Sequence, residues 1–147
     1  SIAAGSEMLL YMAARAQLVS EVIQPALAAG QVVVSDRFLL ANVVYQGHAA
    51  GLDPQEIWDV GAVATGGLEP DLTVVLDMPL EKAVGRIGRE LDRMEARGLE
   101  FLEKVRQGFL REAERSPERI VVVNADQEIP QVQNDIRQVA SRCLKVS

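Results

Sequence analysis

Three short apolar runs alternate with longer segments whose apolar residues recur every three or four positions. Each short run is apolar on both faces, as in a strand buried inside a parallel sheet. Strands separated by helices are typical of parallel sheets with right-handed crossovers. The pattern therefore predicts an α/β fold, a parallel sheet flanked by helices in three layers, over residues 1–147 as a single domain. The predicted strands are Val32–Val34, Leu72–Asp77 and Ile120–Val123.

The helical segments carry recognisable start and stop residues. Asp53, followed by Pro54, is a strong helix start, and Gly66 and Gly67 end that helix near Thr65. Gly30 is a natural residue just after a helix end. The predicted helices are 7–29 with Ser6 as N-cap and a kink at Pro25, 38–46, 53–65, one opened by Pro79, 99–114 and 130–144.

Composition and charge narrow the possible classes of function. A net charge of −6 argues against nonspecific nucleic-acid binding, which needs a basic surface. Cys143 is the only cysteine and His48 the only histidine, so a zinc site is not expected. A single cysteine cannot form an internal disulfide, so a reducing, cytoplasmic location is expected. No apolar run reaches the roughly 18 residues of a membrane span, so no membrane partner is expected.

Asp36 and Arg37 follow the first predicted strand directly. Ligands of open α/β sheets bind at the carboxyl ends of strands. An acid beside a guanidinium can hold a hydrated Mg²⁺ and a phosphate together, because arginine is a fork-shaped phosphate donor. The alternative is a structural Asp–Arg pair.

Two further pairs share a helix face by their spacing. Tyr11 and Arg15 lie four positions apart, so a ring and a guanidinium could hold a planar base between them. Asn42 and Tyr45 lie three apart. On spacing alone, a surface Tyr–Arg pair is the favoured explanation of the first pattern.

An arginine stripe follows the second predicted strand. Its members recur at steps of three and four and are interleaved with acids, which is also the pattern of a solvated, salt-bridged helix face. Gly85 and Gly88 interrupt the region, so a mobile flap is an alternative interpretation. The stripe consists of Arg86, Arg89, Arg93 and Arg97.

Together these segments resemble the thymidylate kinase family from about Ser6 to the carboxyl terminus. The resemblance rests on Leu10 to Gln17, on Asp36-Arg37-Phe38 with Asn42 and Tyr45-Gln46-Gly47, on Pro70 to Thr73 with Leu76-Asp77, and on Arg86 to Glu95. The last segment resembles the lid of the bacterial type, which carries catalytic arginines. The resemblance implies a P-loop-kinase-like fold, here without the first two strands of the family.

The resemblance also implies a role for each matching residue in phosphoryl transfer from ATP to dTMP, with Mg²⁺. Tyr11 would stack on thymine, Arg15 would bind a base carbonyl, and Asn42 and Tyr45 would line the sugar and base pocket. Arg37 would hold the dTMP phosphate as a catalytic and substrate-binding residue, and Asp36 would serve the metal. Arg86, Arg89 and Arg93 would be catalytic, and Arg89, Arg93, Asn124 and Asp126 would bind ATP. The family further implies a homodimer.

Three departures from the family pattern stand out. Ala41 replaces a common serine, and the lid is short between Arg86 and Glu90. No G-x-x-x-x-G-K followed by Ser or Thr occurs, so the phosphate-binding loop is missing and this chain is expected to be inactive as it stands. The missing first strand would lie between the first two predicted strands, which then either lack a partner or pair with each other.

Two alternatives to a dTMP kinase stay open. One is a deoxynucleoside kinase or another P-loop kinase, which would take a sugar hydroxyl rather than a phosphate as acceptor. The other is a non-catalytic module that binds a nucleotide or a partner protein.

Overall fold

The computed structural model describes residues 2–85 and 93–144, and of residues 93–97 it describes the backbone alone. The chain divides into two compact units, Ser1–Glu69 and Pro70–Ser147. The first unit contains helices α1 (Ala4–Leu18), α2 (Gln24–Ala28), α3 (Leu39–Asn42) and α4 (Pro54–Thr65), with π-helical segments at Val19–Ile23 and Val43–Ala49.

The long amino-terminal helix forms, but its start differs from the prediction. It begins at Ala4 with Ala3 as N-cap, and no side chain caps it, so Ser6 lies inside the helix rather than before it. Ala3 accepts a bond from the amide of Glu7, which closes the first turn without Ser6. The expected kink at Pro25 is a π-helical stretch that ends at Ile23. Proline lacks an N–H and its ring clashes with the preceding turn. The backbone hydrogen bonds of the helix therefore change from the α-helical to the π-helical pattern before Pro25.

The predicted strand at Val32–Val34 is wrong for the described chain. Residues 31–35 belong to no sheet, and Val32 and Val34 are 67% and 92% exposed. A strand needs a neighbour to satisfy its N–H and C=O groups, and no described residue supplies one. The alternative in which this segment pairs directly with the next strand is therefore wrong for the described residues, where that strand pairs with Ile120–Asn124 alone.

Helix α4 follows the sequence signals closely. The Asp53 side chain accepts a hydrogen bond from the amide of Gln55 at 2.8 Å, and Pro54 occupies the first turn. Gly66 ends the helix with φ 61°, in the left-handed region that glycine adopts without strain. The predicted helix from residue 38 instead begins at Leu39 and continues as the π-helical segment through Ala49, so Gly47 is helical.

The core of the first unit forms where α1 meets α3 and α4. Met12, Leu39, Val43 and Ile57 are buried together. Met12 belongs to the predicted apolar stripe of α1, as do the buried Val19 and Ile23. Burial of such side chains contributes about 1.5–3 kcal/mol each, so this cluster fixes the helices that carry Arg15 and Asn42.

Gly61 marks the closest approach of α4 to α3. A Cβ added at Gly61 would lie 2.2 Å from Leu39 Cδ1, and Leu39 is only 4% exposed. Gly61→Ala is therefore expected to lower the free energy of unfolding by about 1–3 kcal/mol, as overpacked cores do. Thermal unfolding followed by circular dichroism measures this loss.

Gly5 provides the matched control for that substitution. It lies in α1, and nothing occupies the space around an added Cβ. Gly5→Ala should leave the melting temperature unchanged or raise it, since alanine is the better helix former. Equal melting temperatures for Gly61→Ala and the wild type would show that Leu39 can move aside.

The second unit is built on a two-stranded parallel sheet. Strand β1 (Thr73–Asp77) pairs with β2 (Ile120–Asn124), with Thr73 opposite Ile120 and Asp77 opposite Asn124. Val75, Ile120 and Val123 are buried, whereas Leu76 and Val122 are 54% and 41% exposed, so burial on both faces is incomplete in the described chain. The helices are α5 (Leu80–Gly85), α6 (Arg93–Arg115) and α7 (Ile129–Leu144).

The two pairing strands and the helix between them agree with the predicted α/β pattern. Both strands point the same way, and the chain between them contains the long helix α6. Helices α6 and α7 both contact β2. Within the described residues, no helix is long and apolar enough to cross a membrane.

Candidate functional site

The Asp36–Arg37 corner has an unusual backbone. Arg37 has φ 64°, and it is the one non-glycine residue with positive φ in the described chain. This conformation costs an L-residue on the order of 1–2 kcal/mol, and such residues cluster at functional sites. The Ser35 hydroxyl donates a hydrogen bond to the Arg37 carbonyl oxygen at 2.7 Å, which stabilises the turn.

The Arg37 side chain extends over an aromatic ring. Its guanidinium carbon lies 5.3 Å from the ring centre of Tyr45, within cation–π range. Arg37 is exposed, and so is Asp36 beside it. The structure thus brings the predicted residues Arg37 and Tyr45 together, and leaves the Arg37 guanidinium accessible to an anion.

Arg15 is the more enclosed of the two arginines in this unit. Its guanidinium carbon lies 4.6 Å from the ring centre of Phe38, and Nη2 donates to Asn42 Oδ1 at 2.5 Å. Its Nε is buried and has no partner among the described residues. Burial lowers the pKa of the Arg15 guanidinium, which nevertheless stays protonated because arginine is so basic.

A chain of side-chain hydrogen bonds continues from Asn42. Asn42 Nδ2 donates to Gln46 Oε1 at 3.2 Å, and Gln46 Nε2 donates to Glu7 Oε1 at 2.9 Å. Asn42 and Gln46 are 4% and 6% exposed, so both amides are buried, and Arg15 and Glu7 supply the partners that the two amides do not supply each other. We call Arg15, Asn42, Gln46 and Glu7 the polar relay.

Tyr11 lies on the same face of α1 as Arg15 and is 50% exposed. It does not belong to the buried cluster of this unit, so its ring is not a core side chain. An exposed ring one helical turn from an enclosed guanidinium is compatible with a stacking platform. Its role toward a base stays a prediction.

The prediction did not assign a role to Phe38, Gln46 or Glu7. Their spacing nevertheless carried a signal. Glu7 lies four positions before Tyr11 and eight before Arg15, so all three share a face of α1, and Gln46 lies four positions after Asn42. What the spacing could not show is that these two faces meet.

Asn124 and Asp126 form a tight loop at the carboxyl end of β2 in the second unit. Asn124 Oδ1 accepts a bond from the Asp126 amide at 2.8 Å, an Asx turn. The Asp126 carboxylate lies 3.9 Å from Lys82 Nζ on α5. Asn124 and Asp126 are both exposed, and their assignment to ATP binding stays a prediction.

A bidentate ion pair joins β1 to α6 at the same end of the sheet. Arg106 Nε and Nη2 donate to the two Asp77 carboxylate oxygens at 2.7 and 3.0 Å. The hydrogen bonds from Arg106 outweigh partial burial and hold the pKa of Asp77 below its ordinary value. The same hydrogen bonds raise the pKa of Arg106. Asp77 is the last residue of the strand predicted at Leu72–Asp77, and no pattern in the sequence indicated its pairing with Arg106.

This ion pair predicts how stability depends on pH. Above about pH 3.9, the ordinary pKa of aspartate, Asp77 is ionised in both folded and unfolded chains and the full stabilisation is present. As the pH falls through that value, the unfolded chain takes up the proton first and the stabilisation is lost. Arg106→Met should therefore cost about 1 kcal/mol at neutral pH and little at pH 2, measured by urea unfolding.

Lys104 supplies the control for that measurement. It pairs with Glu100 on the same helix at 3.2 Å, and both side chains are exposed. Lys104→Met should change stability by a few tenths of a kcal/mol at most. A cost at Arg106→Met that is equally large at pH 2 would show that packing of the arginine stem, not the ion pair, stabilises this end of the sheet.

The structure describes little of the predicted lid arginines. Arg86 and Arg89 lie outside the described residues. Arg93 is the first residue of α6, and only its backbone is described. Their catalytic and ATP-binding roles stay predictions.

Comparison with known proteins gives one consistent result. The family model described as thymidylate kinase matches residues 1–136. The thymidylate kinase of Rhodopirellula baltica is 44% identical over 131 residues, 89% of this chain and 54% of that protein. The thymidylate kinase of Kosmotoga olearia is 41% identical over 142 residues, 95% of this chain and 68% of that protein.

A solved structure is similar as well. The crystal structure of thymidylate kinase from Ehrlichia chaffeensis superimposes with a TM-score of 0.77 at 25% identity, covering 96% of this chain and 66% of that one. The thymidylate kinase of Desulforudis audaxviator is 48% identical over 124 residues, which make up 56% of that protein's length. The chain thus spans about half the length of two of these curated relatives, 54% and 56%.

Proposed function

Because the chain belongs to the thymidylate kinase family, we propose that it forms the acceptor-binding, lid and carboxyl-terminal part of an enzyme that transfers the γ-phosphoryl group of ATP to dTMP. The observation that carries the proposal is the enclosed Arg15, stacked on Phe38 and bonded to Asn42. A half-buried guanidinium with a free donor is suited to a planar ligand that carries carbonyl oxygens.

The base-binding end of the proposed site lies on α1 and α3. Tyr11 offers an exposed ring for stacking, and Arg15 offers N–H groups to a base carbonyl. Asn42 and Tyr45 complete the pocket for base and sugar. A ring against the 2′ carbon would disfavour a ribose hydroxyl there, because that hydroxyl would lose its water without gaining a partner.

The phosphate-binding end of the proposed site is Arg37. Its exposed guanidinium is held over Tyr45, and its backbone is fixed in the left-handed region by the bond from Ser35. A guanidinium so placed can donate two parallel bonds to phosphate oxygens. This supports a nucleoside monophosphate, rather than a nucleoside, as the acceptor.

Asp36 is the residue we propose to serve Mg²⁺. Its carboxylate is exposed and has no partner among the described residues, and oxygen is the ligand that Mg²⁺ prefers. A single protein carboxylate fits, since Mg²⁺ is usually held by one or two carboxylates together with substrate phosphates and water. When bound, the ion would neutralise charge on the phosphates.

The residues we propose for the ATP side are Arg86, Arg89, Arg93, Asn124 and Asp126. Phosphoryl transfer depends on positioning and on neutralising charge, so arginines suit the transferring group. Closing them over the phosphates would also exclude water from the reaction. Asn124 and Asp126, exposed at the end of β2, offer hydrogen-bonding groups toward adenine.

We propose that these 147 residues by themselves bind dTMP without transferring phosphate. They contain no G-x-x-x-x-G-K sequence, and that loop cradles the phosphates of ATP in P-loop kinases. A cytoplasmic homodimer is part of the same proposal and follows from the family. Turnover of dTMP by a sample whose mass matches this sequence alone would contradict the proposed inactivity.

Calorimetric titration tests the proposed acceptor directly. The protein should bind dTMP more tightly than thymidine, by the contribution of the phosphate to Arg37. Thymidine binding equally well would favour a deoxynucleoside kinase. Binding of neither ligand, in a sample whose circular dichroism shows it folded, would favour a module that binds a protein partner.

A further inference from the structure

Two contacts restrain Arg37, one at its backbone and one at its side chain. The Ser35 hydroxyl donates to the Arg37 carbonyl oxygen at 2.7 Å, and the Arg37 guanidinium carbon lies 5.3 Å from the ring centre of Tyr45. The backbone contact spans Asp36, and the side-chain contact fixes the direction in which the guanidinium points. Together they hold the group that we propose to bind the acceptor phosphate in one arrangement.

The backbone contact matters because the conformation of Arg37 is intrinsically unfavourable. Its φ of 64° lies in the left-handed region, where the Cβ of an L-residue crowds the neighbouring carbonyl oxygen. Residues 31–35 belong to no sheet in the described chain, so no ladder of hydrogen bonds holds the segment that leads into Arg37. The bond from the Ser35 hydroxyl is therefore the local restraint that acts on this backbone.

A change of φ at Arg37 would move its guanidinium. The φ torsion sets the direction of the Cα–Cβ bond relative to the preceding residues, so a return to the common region of negative φ swings the side chain away from Tyr45. The fraction of molecules with the guanidinium over the ring then falls. The apparent affinity for a phosphate falls by the same factor, because only that fraction is competent to bind.

Ser35 is suited to position the arginine and not to bind the anion itself. A serine hydroxyl has one proton, and here that proton lies in the bond to the Arg37 carbonyl oxygen. The lone pairs that remain on the hydroxyl oxygen can only accept hydrogen bonds. The oxygens of an ionised phosphate are acceptors as well, so the two groups have no bond to form while the contact with Arg37 is in place.

We propose that Ser35 is a positioning residue that holds Arg37 in its phosphate-binding conformation, and so sets how strongly the site prefers a nucleoside monophosphate to the free nucleoside. The inference rests on the proposed function, since it assumes that Arg37 binds the acceptor phosphate. Ser35 does not touch the ligand in this arrangement. It acts by keeping the backbone of Arg37 at positive φ before the ligand arrives.

Titrations with dTMP and thymidine on Ser35→Ala test this role. The dissociation constant for dTMP should rise about threefold to tenfold, the value of one hydrogen bond between neutral groups, and that for thymidine should not change. Ser35→Thr keeps the hydroxyl and should restore the dTMP affinity of the wild type. An unchanged dTMP affinity in Ser35→Ala, or an equal loss for both ligands, would overturn the proposal.

Two further variants make the titration specific. In a chain that already carries Arg37→Ala, Ser35→Ala should cause no further loss of dTMP affinity, because both residues act through one contact. A further loss would mean that Ser35 contacts the ligand itself, and the positioning role would be wrong. Ser141 is the matched control, an exposed serine whose hydroxyl donates to the Gln138 carbonyl oxygen at 3.0 Å. Ser141→Ala should leave both affinities unchanged.

A measurement without ligand separates this inference from the proposed function. At positive φ an amide proton lies close to the Hα of its own residue, so Arg37 should give a strong nuclear Overhauser effect between these protons in the free protein. The effect should weaken in Ser35→Ala and return in Ser35→Thr, whereas Ser141→Ala should not change it. Equal effects in the wild type and Ser35→Ala would overturn the inference even if dTMP binds. Absence of dTMP binding to the wild type would instead refute the proposed function.

Discussion

Replacing Arg37 by alanine is expected to weaken dTMP binding by about 10- to 100-fold, the value of hydrogen bonds to a charged group. The affinity for thymidine, which lacks the phosphate, should stay the same. The reason is that the exposed Arg37 guanidinium, which lies over Tyr45, is proposed to donate to the phosphate and has no part in the Arg15–Asn42 contact. Calorimetric titration of both ligands on both proteins measures the difference.

Further substitutions at Arg37 separate charge, fork geometry and backbone strain. Arg37→Lys keeps the charge but loses the paired donors, so its affinity for dTMP should fall between those of the wild type and Arg37→Ala. Arg37→Gly should bind as poorly as Arg37→Ala yet melt at no lower temperature than the wild type. Glycine adopts φ near 64° without strain, so binding and stability separate at this residue.

The control for Arg37 is Arg111, an exposed arginine of α6. Arg111→Ala removes the same charge and should leave both affinities unchanged. If Arg37→Ala lowers thymidine affinity as much as dTMP affinity, Arg37 supports the pocket instead of holding the phosphate. The assignment of Arg37 to the acceptor phosphate would then be wrong.

The second large effect is expected in the core. Ile57→Ala should lower the free energy of unfolding by about 2–5 kcal/mol, because the side chain is 1% exposed and its loss leaves a cavity. Ile57 packs with Met12 of α1 and with Val43, the residue after Asn42. Urea unfolding, compared by midpoint and slope, measures the loss.

Val63 on the same helix is the matched control for Ile57. It is 84% exposed, so Val63→Ala should change stability by no more than about 0.5 kcal/mol. The cavity should also loosen the contact between Arg15 and Asn42, because Met12 and Val43 hold their helices together. A variant at Ile57 that unfolds like the wild type would mean that the site collapses around the lost atoms.

Local sequence signals predicted the elements that depend on near neighbours. Asp53 and Pro54 begin α4, Gly66 ends it, and the apolar run ending at Asp77 forms β1, as expected. These features depend on capping, on backbone freedom and on side-chain volume within a few residues. The family resemblance, which the comparisons confirm, rests on such contiguous motifs.

Features that need a distant partner were not predictable in the same way. The run Val32–Val34 has the composition of a buried strand, yet no described residue pairs with it, and Val34 is 92% exposed. Composition sets the preference for a strand, but the ladder needs a second strand. The bidentate bond between Asp77 and Arg106 likewise joins residues that no spacing rule connects.

For this protein the sequence by itself determined the family and the residues proposed to bind the acceptor, including the corner at Arg37. Only the tertiary structure decided how these residues are arranged. Packing of α1 against α3 and α4 brings Glu7 and Arg15 to the buried amides of Gln46 and Asn42. Donor and acceptor groups have a fixed direction only once they meet, so the order of the polar relay is a property of the folded chain.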